Sequence, residues 1–104
     1  MPVAVFTDPS ALLHDAGPGH PERPARLEAI LAALRTDPLV ELREPPPADR
    51  ALLEAVHAPG YLARLEALAA AGGGRLDEDT VMNASSWKAA LHAAGGATAA
   101  IRHA

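Results

Sequence analysis

The chain has 104 residues, room for one domain, and its nine lysines and arginines against thirteen aspartates and glutamates leave a net charge of −4 and a pI near 5.6. That balance argues against nucleic acid or an anionic membrane as the main partner, and no block of like charges alters it. With no cysteine there is no disulfide framework, thiol nucleophile or thiolate metal site.

Hydrophobic residues make up 49% of the chain but aromatics only 3%, with alanine supplying much of the rest. Small side chains bury little area each, so a thin core is expected. The longest apolar runs are broken by charge, and no basic segment followed by an apolar one opens the chain; a soluble, cytoplasmic protein is expected. Eight arginines against one lysine fit a GC-rich bacterial genome.

In chain order, Val3-Ala4-Val5-Phe6 is a short apolar run ending in the turn signal Thr7-Asp8-Pro9, and reads as a buried strand. Ser10 to Gly19 reads as loop. A helix is expected from Pro21 or Glu22 to about Arg35, with Leu27, Ile30, Leu31 and Leu34 on one face and Thr36-Asp37-Pro38 as its stop. Leu39 to Arg43 alternates as a second strand, and Pro45-Pro46-Pro47 is a stiff connector. Asp49 to Val56 is a short helix with an acidic start. Pro59 to about Ala71 is another, striped by Tyr61, Leu62, Leu65 and Leu68 and ended by Gly72-Gly73-Gly74. Arg75 to Met82 reads as a polar loop. The last helix starts near Ser85, presents Trp87, Leu91, Ala94, Thr98 and Ile101, and runs to Ala104 without a stop signal.

Chemistry-bearing residues are few. His14, Asp15 and His20 have metal-ligating side chains, but in a Gly/Pro-rich loop the bland reading weighs more, hydrogen bonding to loop backbone or to Arg23. Asp77, Glu78 and Asp79 form an acidic group whose bland reading is a turn held by Asp side-chain bonds to backbone N–H groups. His57 reads as a helix C-terminal cap, and His92 and His103 as surface residues of the last helix. The glycines at 72 to 74 lack the Lys-Ser/Thr of a phosphate loop, and Ser10, Ser85 and Ser86 lack a nucleophile-elbow context. Spacing alone assembles no catalytic set. The most informative segment is Gly19-His20-Pro21-Glu22-Arg23-Pro24-Ala25-Arg26-Leu27, where two arginines sit at a loop-to-helix junction suited to an anion.

Three blocks in order resemble the histone deacetylase family, in particular its bacterial and class II-like members, among them acetoin-utilisation proteins and acetylpolyamine amidohydrolases. They are His14 to Leu27; Val56-His57 with Tyr61-Leu62; and Leu76-Asp77-Glu78-Asp79-Thr80 with Ser86-Trp87-Lys88-Ala89-Ala90 and Ala94-Gly95-Gly96. The resemblance implies an α/β fold, the N-terminal part of an arginase/deacetylase-like parallel three-layer sandwich, mostly helical here with one or two short strands. It also implies a zinc site at the carboxyl ends of the strands. By position, Arg26 matches the arginine lining the internal cavity through which acetate leaves, and a guanidinium suits a carboxylate there. Asp79 matches the rim aspartate that grips the acyl-lysine backbone, with Asp77 the second choice, and His20, Pro21 and Glu22 shape the first loop. The family's tandem histidines, Asp-x-His zinc ligands and transition-state tyrosine have no counterpart here: the chain has no His-His pair and no Asp-x-His.

Residues 1–104 are therefore expected to be about the first third of such a domain, with no catalytic or metal-binding residue of their own. The expected function of the whole is zinc-dependent removal of acetyl groups from acetyl-lysine or acetylated polyamine, with the segment alone inactive and binding no zinc. The competing expectation is a non-catalytic helical interaction module, self-associating through exposed apolar helix faces.

Overall fold

The structure, a computed structural model, describes residues 2–104. Strand β1, Val3–Phe6, pairs in parallel with β2, Val40–Arg43, in the register Val3 to Val40 through Phe6 to Arg43. Parallel neighbours need a crossover, and helix α1, Pro24–Arg35, supplies it. The pairing extends past the strands, with Val3 N–H donating to Leu39 O and Thr7 N–H to Arg43 O. The α/β class and both strands agree with the sequence reading.

Helix α1 begins later than expected, at Pro24 instead of Pro21 or Glu22. The residue before a proline is pushed out of the helical region, and Arg23 is extended at φ −148° and ψ 154°. Pro24 then takes the first helical position, where its missing N–H costs nothing. Leu31 is buried, Leu27 and Leu34 are half-buried, and Ile30 stands outside the expected stripe at 51% exposure.

Helix α2, Arg50–Glu54, is shorter than expected; Arg50 pairs with Glu54 in its own helix and with Glu66 in α3, Pro59–Ala70. Leu62 and Ala69 are the buried contacts of α3, while Tyr61 is exposed. The segment expected as polar loop is an antiparallel hairpin: β3, Gly73–Arg75, pairs with β4, Val81–Asn83, and Leu76 N–H to Thr80 O closes the turn. Two of the three residues of its first strand are glycine, a residue depleted in strands, so alternation gave no signal. Gly73, at φ +106°, packs its bare Cα face against β4; a Cβ there would lie 2.2 Å from Met82 O.

Helix α4, Ser86–His103, lies across β1, the 3-10 turn Pro9–Leu12, α3 and β4. Trp87, Leu91, Ala94 and Thr98 are half-buried as the periodicity predicts, and Ile101 is 78% exposed. At the centre of that face Gly95 and Gly96 are buried. A Cβ on Gly95 would meet Pro46 O at 1.9 Å, and Ala48 N–H donates to Leu91 O at 2.9 Å, so the proline segment lies directly on the helix backbone.

His92 is not the surface residue its position suggested. Its side chain is 14% exposed, with Nδ1 against Lys88 O at 2.8 Å and Nε2 3.8 Å from the Asp8 carboxylate. Asp8 in turn caps the 3-10 turn, accepting from the Ser10 hydroxyl and from Ser10 N–H at 3.0 Å. The Ser10 hydroxyl first, then the Ser10 N–H, hold the Asp8 carboxyl below its ordinary value against the opposing effect of burial, with His92 and Lys88 adding a smaller pull.

The molecule is a slab of 42 × 34 × 19 Å with 6820 Å² of accessible surface. A compact protein of this mass exposes about 5,500 Å². Few side chains are fully buried, as the alanine-rich composition predicts. Among the described residues no helix is long and apolar enough to cross a membrane.

Gly95→Ala is expected to cost about 3 kcal/mol by forcing α4 off Pro46. Gly96→Ala, whose new Cβ would meet Pro45 and Phe6 only at 3.6 to 3.8 Å, is expected to be neutral or to gain up to about 1 kcal/mol of helix propensity. Urea unfolding of the two variants separates these outcomes, and equal behaviour would refute the close approach. The depressed Asp8 carboxyl stabilises the fold above its unfolded value, and that stability is lost as pH falls through the lower folded value, below about pH 4. Asp8→Asn should flatten the acid limb of a stability–pH curve; an unchanged limb would show the cap to be energetically idle.

Candidate functional site

The loop from Leu13 to Arg23 runs back along the hairpin and the start of α4, held by side chains distant in sequence. Asn83 Nδ2 donates to Leu13 O at 2.7 Å, His14 Nδ1 lies 2.6 Å from Ser86 Oγ, and His20 Nε2 lies 2.7 Å from Asp79 O. Ser86 is buried and also accepts from Asn83 N–H at 2.8 Å, so it closes the entry to α4. Ser86 Oγ donates its one proton to Asn83 Oδ1 at 3.0 Å, so the hydroxyl accepts from His14 Nδ1–H, and His14 Nε2 faces the Glu22 carboxylate 3.5 Å away. Spacing could not have found this serine–histidine contact, which joins residues at opposite ends of the chain. Buried and already bonded to Asn83 and His14, this hydroxyl is committed to structure.

The three candidate metal ligands of this loop turn to three different partners. His14 goes to Ser86, His20 to Asp79 O, and Asp15 Oδ1 accepts Gly17 N–H at 2.9 Å in a local turn. Among the described residues no three His, Asp or Glu side chains gather as a metal-holding group.

At the hairpin turn the three acidic residues separate by role. Asp77 Oδ1 accepts from Asp79 N–H at 2.9 Å and from Thr80 N–H at 2.8 Å, and these bonds, the first above all, hold its carboxyl below the ordinary range. Asp77 is thus spent on the turn. Glu78 offers its backbone carbonyl to Arg75 at 3.1 Å. Asp79 has its backbone held on both sides and is itself exposed. Of the two aspartates considered for a substrate rim, the structure leaves Asp79 the freer carboxylate.

Candidate residues line three hollows, one of which, about 340 Å³, takes His14, Glu22, Met82, Ser86 and Trp87. A groove of about 330 Å³ runs between the first loop and the hairpin, with His20 and Pro21 on one wall and Arg75 and Asp79 on the other. A smaller one of about 200 Å³ is lined by His14, Glu22, Arg23, Arg26 and Ile30. Arg26 is exposed there, in an open hollow and not an enclosed cavity. Arg23 lines the same space, an arginine to which the resemblance assigned no role. A larger hollow of about 410 Å³, between the proline segment and the end of α4, contains none of the candidates. His57 stacks at a tilt on Tyr61, ring centres 5.7 Å apart, away from both grooves.

These groups can grip and orient. A carboxylate on a fixed backbone accepts charge-assisted hydrogen bonds, and paired guanidiniums attract an anion.

The family profile described as Histone deacetylase domain matches residues 20–104. The chain is 40% identical over 95 residues to the uncharacterized protein slr0245 of Synechocystis, covering 85% of this chain. It is 35% identical to a histone deacetylase-like amidohydrolase of Pseudomonas aeruginosa over 94% of the chain, and 36% identical to a probable deacetylase of Methanothermobacter thermautotrophicus over 98%. It spans 31% of the length of each of these relatives. The crystal structure of the HDA15 HD domain superposes with a TM-score of 0.82 at 28% identity, covering 91% of this chain and 29% of that one. Because the matched span takes in His20, the helix after it, the hairpin with Asp79 and all of α4, the chain belongs to the histone deacetylase family.

Proposed function

We propose that residues 1–104 are the N-terminal portion of a deacetylase domain and supply its substrate rim, while the chemistry is performed by residues outside them. The whole would remove acetyl groups from acetyl-lysine or acetylated polyamine. The observation that carries this reading is the groove between the first loop and the hairpin, where Asp79 presents an exposed carboxylate on a backbone held from both sides. The family's zinc polarises the amide carbonyl and activates water when bound. The described residues do not form a set that fits that ion, and no step through it is assigned to them.

What these residues do is bind and orient. Asp79 accepts N–H groups flanking the acylated amine, lowering the freedom of the substrate before reaction. Arg26, with Arg23 beside it, offers a positive wall to the departing carboxylate. His20, Pro21 and Glu22 shape the loop that bounds both hollows.

One observation favours a second reading, an interaction module without catalysis. Val3, Leu39, Val56 and Ile101 are all more than half exposed, which invites self-association. Sedimentation and amide exchange of the 104-residue chain decide: a defined oligomer with well-protected amides at micromolar concentration favours the module, whereas polydisperse aggregation with weak protection favours a domain portion.

The 104-residue chain with added zinc is expected to release no acetate from acetyl-lysine peptides; stoichiometric zinc binding with turnover would overturn the proposal. In a complete deacetylase domain carrying this segment, Asp79→Asn should lower kcat/KM about 10- to 100-fold, the worth of one or two charge-assisted hydrogen bonds. Wild-type kinetics in that variant would remove Asp79 from the rim.

A further inference from the structure

His20 and Asp79 lie far apart in sequence, yet one hydrogen bond joins them. His20 Nε2 is 2.7 Å from Asp79 O, and the other ring nitrogen, Nδ1, is 3.1 Å from the Glu22 backbone N–H. A carbonyl oxygen can only accept and a backbone N–H can only donate. One form of the ring satisfies both partners: neutral, with its proton on Nε2 and its lone pair on Nδ1. The two bonds therefore set the tautomer and the ring plane together.

The bond falls at a telling place. The other ties between the first loop and the hairpin side, Asn83 to Leu13 O and His14 to Ser86, are made where β4 meets α4. The described hydrogen bond that reaches the turn itself is that of His20. There it meets the carbonyl of the one acidic residue whose N–H is already held by Asp77 at 2.9 Å. With its N–H and C=O both engaged, Asp79 keeps only side-chain freedom. A carboxylate carried on such a backbone loses less entropy on gripping a ligand than one on a free loop.

We propose that His20 is a positioning residue: its Nε2–H latches the turn that carries Asp79 onto the first loop and so sets the grip of the rim on its substrate. The latch stands on geometry alone, while its effect on substrate rests on the deacylase reading above. His20 touches no reacting atom in this scheme and acts through Asp79.

Three substitutions separate latch from bulk. His20→Gln keeps an N–H donor near the Nε2 position. His20→Asn places its polar atoms at the distance of Nδ1, too short to reach Asp79 O, and His20→Ala has neither. In the 104-residue chain, two-bond ¹H–¹⁵N spectra of the neutral His20 ring should show a protonated Nε2 and an unprotonated Nδ1. Amide exchange at residues 77–80 should quicken in the Ala and Asn variants and not in Gln. The opposite nitrogen pattern, or equal exchange in all variants, overturns the latch.

In a complete deacetylase domain carrying the segment, KM for an acetyl-lysine peptide should rise about tenfold in the Ala and Asn variants, with kcat nearly unchanged and most of the loss recovered by Gln. A fall in kcat without a change in KM, or no recovery by Gln, overturns the positioning role. A domain that turns over no acylated amine overturns the deacylase reading and the positioning role together, while the nitrogen pattern still decides the latch.

Discussion

The fold depends on how closely α4 can approach the chain that crosses it. Pro46 O occupies the place where a side chain at Gly95 would begin, and Ala48 N–H donates into the helix at Leu91 O. Helix backbone and connector backbone are in direct contact, which only a residue without a Cβ permits. Because α4 also touches β1, the 3-10 turn, α3 and β4, that one contact sets the distance between the parallel pair and the hairpin. A thin, alanine-rich core has little bulk with which to hold the layers apart or together, so backbone contacts and polar ties take over part of the task.

The site inherits its geometry from that arrangement. The start of α4 presents Ser86 to His14, and the strand before it presents Asn83 to Leu13 O. These contacts bring the first loop beside the hairpin, and only then can His20 reach the turn. Among the described residues no buried side-chain nitrogen or oxygen lacks a partner, so the loop is specified by satisfied bonds and not by burial. Its two grooves are open, with apolar walls that carry a few charged groups. They suit recognition of an extended substrate at a rim more than enclosure of a small one.

Much of this was legible in the sequence, for identifiable reasons. Val3–Phe6 was a strand because a short apolar run ended in a turn signal, Val40–Arg43 because Leu39 to Arg43 alternates, and α3 followed its leucine stripe. The turn-forming use of Asp77 was foreseen from aspartate chemistry, and the fold class and family from three motif blocks in order. The start of α1 was misplaced because Pro24 constrains its predecessor more strongly than Pro21 opens a helix. The hairpin was illegible because Gly73 and Gly74 carry no side-chain pattern at all. His92 and the His14–Ser86 contact depend on which faces meet across the fold, information that no local window contains.

The parallel pair has a consequence for the order of events in folding. Val3 must find Val40 with all of α1 between them, so the closure entropy of that long loop comes due before any sheet bond forms. Neither strand can zip from a turn as the hairpin can. Helix α1 has to form and dock first, with Leu31 as its buried anchor, and β1, although made first, stays unpaired until β2 has followed it. During synthesis Val3–Phe6 is therefore an unprotected apolar strand edge until Val40–Arg43 has been made, which is when a chaperone or a neighbouring copy has its best chance to bind it.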